Sequence, residues 1–132
     1  MAPSRINHAA LWVQDLEAMK AFYVTYFHGV SGGLYINHGN GFRSYFLSFG
    51  QGARLELMHM ASVDGAPGVP NGDRLGLAHL AFGVGDRDAV DELTEQLRKN
   101  GFPVVSEPRV TGDGYYESVV LDPEGNRVEI TE

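Results

Sequence analysis

The sequence predicts an α+β protein built from two βαβββ modules, and three observations point there. Short apolar runs with period-two alternation mark strands. Two longer segments carry apolar residues at helical spacing, each just after an aspartate suited to an N-cap. The whole order of elements then occurs twice. A length of 132 residues fits one domain holding both copies. Module one is expected over about 5–60, a linker over about 61–76 and module two over about 77–132.

Ile6 to Val13 is short and apolar, and predicts the first strand. Asp15 then caps a helix on which Leu16, Met19, Phe22, Tyr23 and Tyr26 share one face, with Gly29, Gly32 and Gly33 ending it. Tyr35-Ile36, Arg43 to Phe49 and Ala53 to Met60 follow as strands, separated by the turn-forming Asn40-Gly41 and Gly50-Gln51-Gly52. The segment 61–76 holds Pro67, Pro70 and four glycines, the composition of a linker. The pattern then restarts. Leu77 to Gly85 predicts a strand. Asp86 caps a helix with Val90, Leu93, Thr94 and Leu97 on one face, ended by Asn100-Gly101 with Pro103 beyond. Val104-Val105, Tyr115 to Leu121 and Asn126 to Thr131 complete the second module, with Asp122-Pro123-Glu124-Gly125-Asn126 as the last turn.

The copies align residue by residue. At an offset of 79 − 8 = 71, His8 meets His79, Asp15 meets Asp86, Ala18 meets Ala89 and Phe22 meets Leu93. At 129 − 56 = 73, Gly52 meets Gly125, Arg54 meets Arg127 and Glu56 meets Glu129. A lone copy covers only one face of its sheet, so the copies should pair as curved sheets around an open cavity.

Composition excludes several functions. There is no cysteine, hence no disulfide, thiolate metal site or cysteine nucleophile. Ten basic residues against 17 acidic ones give a net charge of −7, which disfavours nucleic acid and anionic membrane surfaces. No apolar run approaches the roughly 18 residues of a membrane helix, and Met1 to Arg5 has no signal-like apolar core, so a cytoplasmic location is expected.

The chemistry lies in four repeated polar positions, His8, Glu56, His79 and Glu129, each inside an apolar strand pattern. Leu55 and Leu57 flank Glu56, Val128 and Ile130 flank Glu129, and Ala78, Leu80, Phe82 and Val84 surround or follow His79. Side chains alternate across a strand, so the apolar set faces the helices and all four polar residues face the other way. A lone strand histidine is ordinarily a hydrogen-bonded structural residue, and a lone strand glutamate is ordinarily solvent-facing. Four of them at equivalent places in two copies point instead to a divalent metal site. Two carboxylates balance the charge of the ion.

Other candidates are weaker. Arg54 and Arg127 share the glutamates' parity and suit an anionic substrate group or the orientation of a ligand, against the alternative of surface ion pairs. Trp12, Phe46, Tyr115 and Tyr116 suit a pocket lining, against the alternative of core or dimer contacts. His59 has helix-side parity and reads as structural, His38 as exposed, and His28 as following the first helix. Gly83-Val84-Gly85 precedes a helix but lacks a third spaced glycine, so no phosphate site is expected.

The chain resembles the vicinal oxygen chelate superfamily of glyoxalases, bleomycin-resistance proteins and dioxygenases. The resemblance is carried by Asn7-His8-Ala9-Ala10-Leu11-Trp12-Val13, Asp15-Leu16-Glu17, Phe22-Tyr23, Ala78-His79-Leu80-Ala81-Phe82 and Asp122 to Ile130. It implies that His8, Glu56, His79 and Glu129 are metal ligands. The full His-Glu-His-Glu set is most similar to glyoxalase I. The implied function is a divalent-metal lyase or isomerase acting on an α-keto or hemithioacetal substrate. Glu129 would serve as base, with Glu56 as the other candidate. Ni²⁺ or Zn²⁺ is the favoured ion, with Co²⁺, Mn²⁺ or Fe²⁺ as alternatives. The resemblance also implies a homodimer and a small-molecule substrate. A fosfomycin-type antibiotic-modifying enzyme and a drug-binding resistance protein are the alternatives.

Overall fold

A computed structural model describes residues 1–65 and 75–132. Most of the expected linker, 66–74, lies outside the described residues. The chain divides into two compact units, Met1–Ala66 and Pro67–Glu132.

In the first unit, β1 (His8–Trp12) leads into α1 (Leu16–Phe27), followed by β2 (Val30–Ser31), β3 (Tyr35–Asn37), β4 (Phe42–Ser48) and β5 (Arg54–His59). The sheet runs β1-β5-β4-β2, and β3 also pairs with β4. β1 lies parallel to β5, and the remaining pairs are antiparallel. In the second unit, β6 (Leu80–Gly83), α2 (Arg87–Lys99), β7 (Val104–Val110), β8 (Tyr116–Leu121) and β9 (Arg127–Thr131) form the sheet β6-β9-β8-β7, again with one parallel pair, β6 with β9. The fold is thus α+β, with two sheets and two helices. The expected βαβββ order holds in the second unit. In the first, Gly32-Gly33 interrupts the strand that β7 forms in one piece, so β2 and β3 pair with opposite ends of β4.

Each helix packs on its own sheet. Leu16, Met19, Phe22, Tyr23 and Phe27 are the buried face of α1, and Tyr45, Leu47, Leu55 and Leu57 are the buried face of its sheet. Val90, Thr94 and Leu97 do the same for α2, over Ser118, Val120, Val128 and Ile130. Polar groups in that second core are satisfied by one another: Thr94 Oγ1 bonds Ser118 Oγ at 2.7 Å and the Val90 carbonyl at 2.6 Å. Asp15 and Asp86 cap the helices as expected, accepting from the Ala18 and Ala89 N–H groups at 2.9 and 2.8 Å.

The structure corrects several boundaries. Leu77 to Gly85 narrows to β6 at Leu80, so His79 sits one residue before its strand. Tyr115 and Asn126 also fall outside strands. The first helix is not ended by a glycine: His28 takes the left-handed conformation, φ 58°, and its N–H bonds the Tyr23 carbonyl. Gly29 instead sits close against the Phe49 ring, which a Cβ there would meet at 3.0 Å.

Candidate functional site

Register assigns the faces. In the first unit His8 lies opposite Arg54, Ala10 opposite Glu56 and Phe46 opposite Glu56. His8, Ala10, Arg54, Glu56 and Phe46 therefore share the sheet face away from α1, while Leu55 and Leu57 are buried beneath the helix. In the second unit Glu129 lies opposite Ala81 and Val119, and His79 has the parity of Ala81. Val128 and Ile130 point to the helix side.

On these faces the four sequence-predicted residues come together as two pairs. His8 Nε2 lies 3.8 Å from Glu56 Oε1, with side chains 40% and 15% exposed. His79 Nε2 lies 3.1 Å from Glu129 Oε1, with side chains 41% and 18% exposed. In both, an open imidazole nitrogen faces a carboxylate set deeper in the sheet. Among the described residues no group of three or more His, Asp or Glu side chains is placed to hold a metal ion.

The surroundings differ between the units. Asn7 Oδ1 lies 2.8 Å from His8 Nδ1 and also accepts from Arg54 Nη2 at 2.9 Å. The Asn7 carbonyl accepts from the Arg54 N–H at 3.0 Å. The Arg54 guanidinium stacks over Phe46 at 4.5 Å, and the His8 ring meets Phe46 edge-on at 5.4 Å. Arg54 is thus bound to an asparagine and a ring, in place of the alternative of a surface ion pair. In the second unit Ala78 stands where Asn7 stands in the first. There the same face carries Glu117 on β8, opposite Arg109 on β7 and Thr131 on β9. Burial, and then the charges of Glu129 and Asp113, raise the Glu117 carboxyl above its ordinary value, partly offset by Arg109 and His79. Thr131 Oγ1 is buried without a hydrogen-bond partner among the described residues.

Asn7, Glu117 and Thr131 escaped the sequence reading because none is repeated. Their counterparts are Ala78, Ser44 and Met58 at the same offsets. Position parity was the available signal for Glu117. Of the aromatic candidates, Phe46 and Trp12 take the open face, with Trp12 edge-on to Phe42. Tyr116 does not: its hydroxyl donates to Asp91 on α2 at 2.6 Å and Arg87 stacks on its ring. Tyr115 is exposed. His59 is structural as expected, its Nδ1 lying 2.9 Å from the Val13 carbonyl, and His38 is exposed.

Residues 5–130 match the model of the Glyoxalase/Bleomycin resistance protein/Dioxygenase superfamily. The chain belongs to this superfamily. Among solved structures, a domain of this superfamily from Frankia sp. EAN1pec superposes with a TM-score of 0.81 at 19% identity, covering 98% of both chains. The trypanothione-dependent glyoxalase I of Leishmania major gives a TM-score of 0.77 at 24% identity, over 98% of this chain and 87% of its own. These two likenesses establish the glyoxalase-like fold. A glyoxalase family protein from Enterococcus faecalis is 26% identical with a TM-score of 0.75, covering 97% of each chain. The uncharacterised protein YqjT of Bacillus subtilis strain 168 is 27% identical over 133 residues, 95% of this chain and 96% of its own.

Proposed function

We propose that this superfamily member is a divalent-metal enzyme of the glyoxalase I type, isomerising an α-keto or hemithioacetal substrate. The observation that carries the reading is the pair of imidazole nitrogens, each facing a half-buried glutamate on the open side of its sheet. Two neutral imidazoles and two carboxylates fit a divalent cation in number, charge and hardness. The fit is plainest at His8. Its Nδ1 faces the Asn7 oxygen, so in the neutral ring Nε2 turns a lone pair toward the Glu56 carboxylate across 3.8 Å. Two acceptors face to face are stabilised by a cation that both can reach.

His8, Glu56, His79 and Glu129 would hold the ion, two donors from each module. Ni²⁺ or Zn²⁺ is favoured, and Co²⁺, Mn²⁺ or Fe²⁺ suits the same donors. When bound, the ion supplies a Lewis acid for a substrate with two adjacent oxygens. The chain's own part would be proton transfer: Glu129 Oε1 takes the proton from the hydroxyl-bearing substrate carbon and delivers it to the neighbouring carbonyl carbon, while the hydroxyl proton passes to the former carbonyl oxygen, with Glu56 as the other candidate base. We further propose a homodimer, a cytoplasmic location and a small-molecule substrate. No described helix is long and apolar enough to cross a membrane.

The test is elemental analysis of protein reloaded with Ni²⁺ or Zn²⁺, followed by activity assays. About one ion per chain is expected, as four N/O donors would give, and His8→Ala and His79→Ala should each weaken binding strongly. Wild-type affinity in both variants would overturn the site. Turnover of methylglyoxal with glutathione supports the reading. Metal retained with activity only on fosfomycin and a thiol would transfer it to antibiotic modification, and absence of metal would transfer it to drug binding.

A further inference from the structure

The two halves of the donor set are not held alike. Arg54 has only hydrogen-bond donors, so the Asn7 side-chain atom it meets at 2.9 Å must be the oxygen. That same oxygen faces His8 Nδ1 at 2.8 Å and can only accept. The ring proton is therefore drawn to Nδ1, which leaves Nε2 as the free nitrogen facing Glu56. Asn7 cannot rotate its amide without turning an N–H toward the guanidinium. The guanidinium cannot swing away without leaving the Phe46 ring, and Phe46 in turn meets His8 edge-on. The Arg54 N–H to Asn7 carbonyl bond pins the backbone of the pair. The chain of constraint runs Phe46, Arg54, Asn7, His8.

We propose that Asn7 and Arg54 are positioning residues that lock His8 in the Nδ1–H tautomer with Nε2 presented to the site, a lock that the described residues of the second module do not form. Ala78 replaces Asn7 there, and among the described residues His79 meets Glu129 at 3.1 Å and no asparagine. His8 is then the preorganised ligand of the two. That consequence rests on the metal-site reading, whereas the tautomer lock does not. Outer hydrogen-bond partners that fix a histidine ligand are typically worth about 10–100-fold in metal affinity.

The experiment reads the tautomer directly. Long-range ¹H–¹⁵N spectra of the metal-free chain at alkaline pH should show His8 Nε2 as the unprotonated nitrogen. Asn7→Leu, which keeps the size and removes the acceptor, should give averaged ¹⁵N shifts for His8 and unchanged shifts for His79. Asn7→Asp restores an acceptor oxygen and should restore the wild-type pattern. Arg54→Met, which frees the Asn7 amide to rotate, should resemble Asn7→Leu. Wild-type His8 shifts in both Asn7→Leu and Arg54→Met would overturn the proposal, as would a wild-type spectrum with the proton on Nε2. Ni²⁺ titration of the same samples tests the underlying reading separately. Asn7→Leu should lose about 10–100-fold in affinity, with Asn7→Asp recovering most of it. Failure of the wild type to bind Ni²⁺ would remove the metal site while leaving the tautomer result to decide the lock.

Discussion

Glu129 and Glu56 occupy equivalent places on their sheets, yet their partners differ. Glu129 lies close to His79 and shares its face with a second carboxyl, Glu117. Glu56 sits farther from His8, opposite Phe46. If Glu129 is the base, Glu129→Gln should keep weakened metal binding through the amide oxygen while turnover falls by a factor on the order of 10²–10⁴. Glu56→Gln should then cost less. Equal losses, with metal content measured in each, would mean that the two carboxylates share the work. Glu117 gives a pH prediction. A carboxyl raised in the fold binds its proton more tightly there than in the unfolded chain. Stability is therefore lost as pH rises from the unfolded value through the folded one. Glu117→Gln should stabilise the metal-free protein at neutral pH, and the gain should vanish in acid below the ordinary glutamate range. Thermal melts of both proteins across pH decide it, and a gain that persists undiminished at low pH would refute the burial and charge explanation. Reading residues one at a time missed Glu117 because its meaning depends on what lies across the strand.

The turn between β8 and β9 sets the register that places Glu129, and one buried side chain holds it. Asp122 Oδ1 accepts from the Glu124 and Asn126 N–H groups at 2.9 and 3.0 Å, and Oδ2 accepts from Asn126 Nδ2 at 2.9 Å. Asp122→Ala leaves these donors unmet in a partly buried turn and should cost about 1–2 kcal/mol in urea denaturation, with a parallel loss of site function. The end of α1 gives the opposite sign. His28 pays the left-handed conformation that glycine adopts freely, so His28→Gly should raise stability by up to about 1 kcal/mol. A drop in stability would show that the imidazole contributes more than its backbone costs. At this scale the sequence was informative where chemistry is local. Asp15 and Asp86 cap where the motif says, because a cap needs only the next three residues. The split of one strand into β2 and β3 was not legible, because it depends on how Gly32-Gly33 meets the neighbouring β4.

For the whole molecule, the proposed ion links folding to binding. A metal that binds the folded chain and not the unfolded one stabilises by about 2.7 kcal/mol at 100 times its Kd. Thermal melts should therefore shift upward with Ni²⁺ or Zn²⁺ and return with a chelator, and His79→Ala should abolish the shift. An unchanged melt in the wild type would argue against a ligand set drawn from both modules. The proposed homodimer predicts a light-scattering mass near twice the 14.4 kDa of the chain. A clean monomer at micromolar concentration would exclude it.

The sequence by itself determined the two-module α+β organisation, the helix caps and the four repeated polar positions. Each follows from short-range rules: period-two alternation, 3.6-residue spacing and the recurrence of a motif at a nearly constant offset. Strand parity alone was enough to put His8 with Glu56, and His79 with Glu129, on the faces away from the helices. Only the tertiary structure decided which atoms meet. The strand register brings Asn7, Arg54 and Phe46 around one histidine and leaves the other without them. It also sets Glu117 and Thr131 beside Glu129, and turns Tyr116 from a pocket candidate into a partner of α2. Apart from the neighbouring Asn7 and His8, these contacts join residues distant in the chain, and all are unrepeated between the modules. Neither periodicity nor the repeat carries them, and they exist only once the strands have paired.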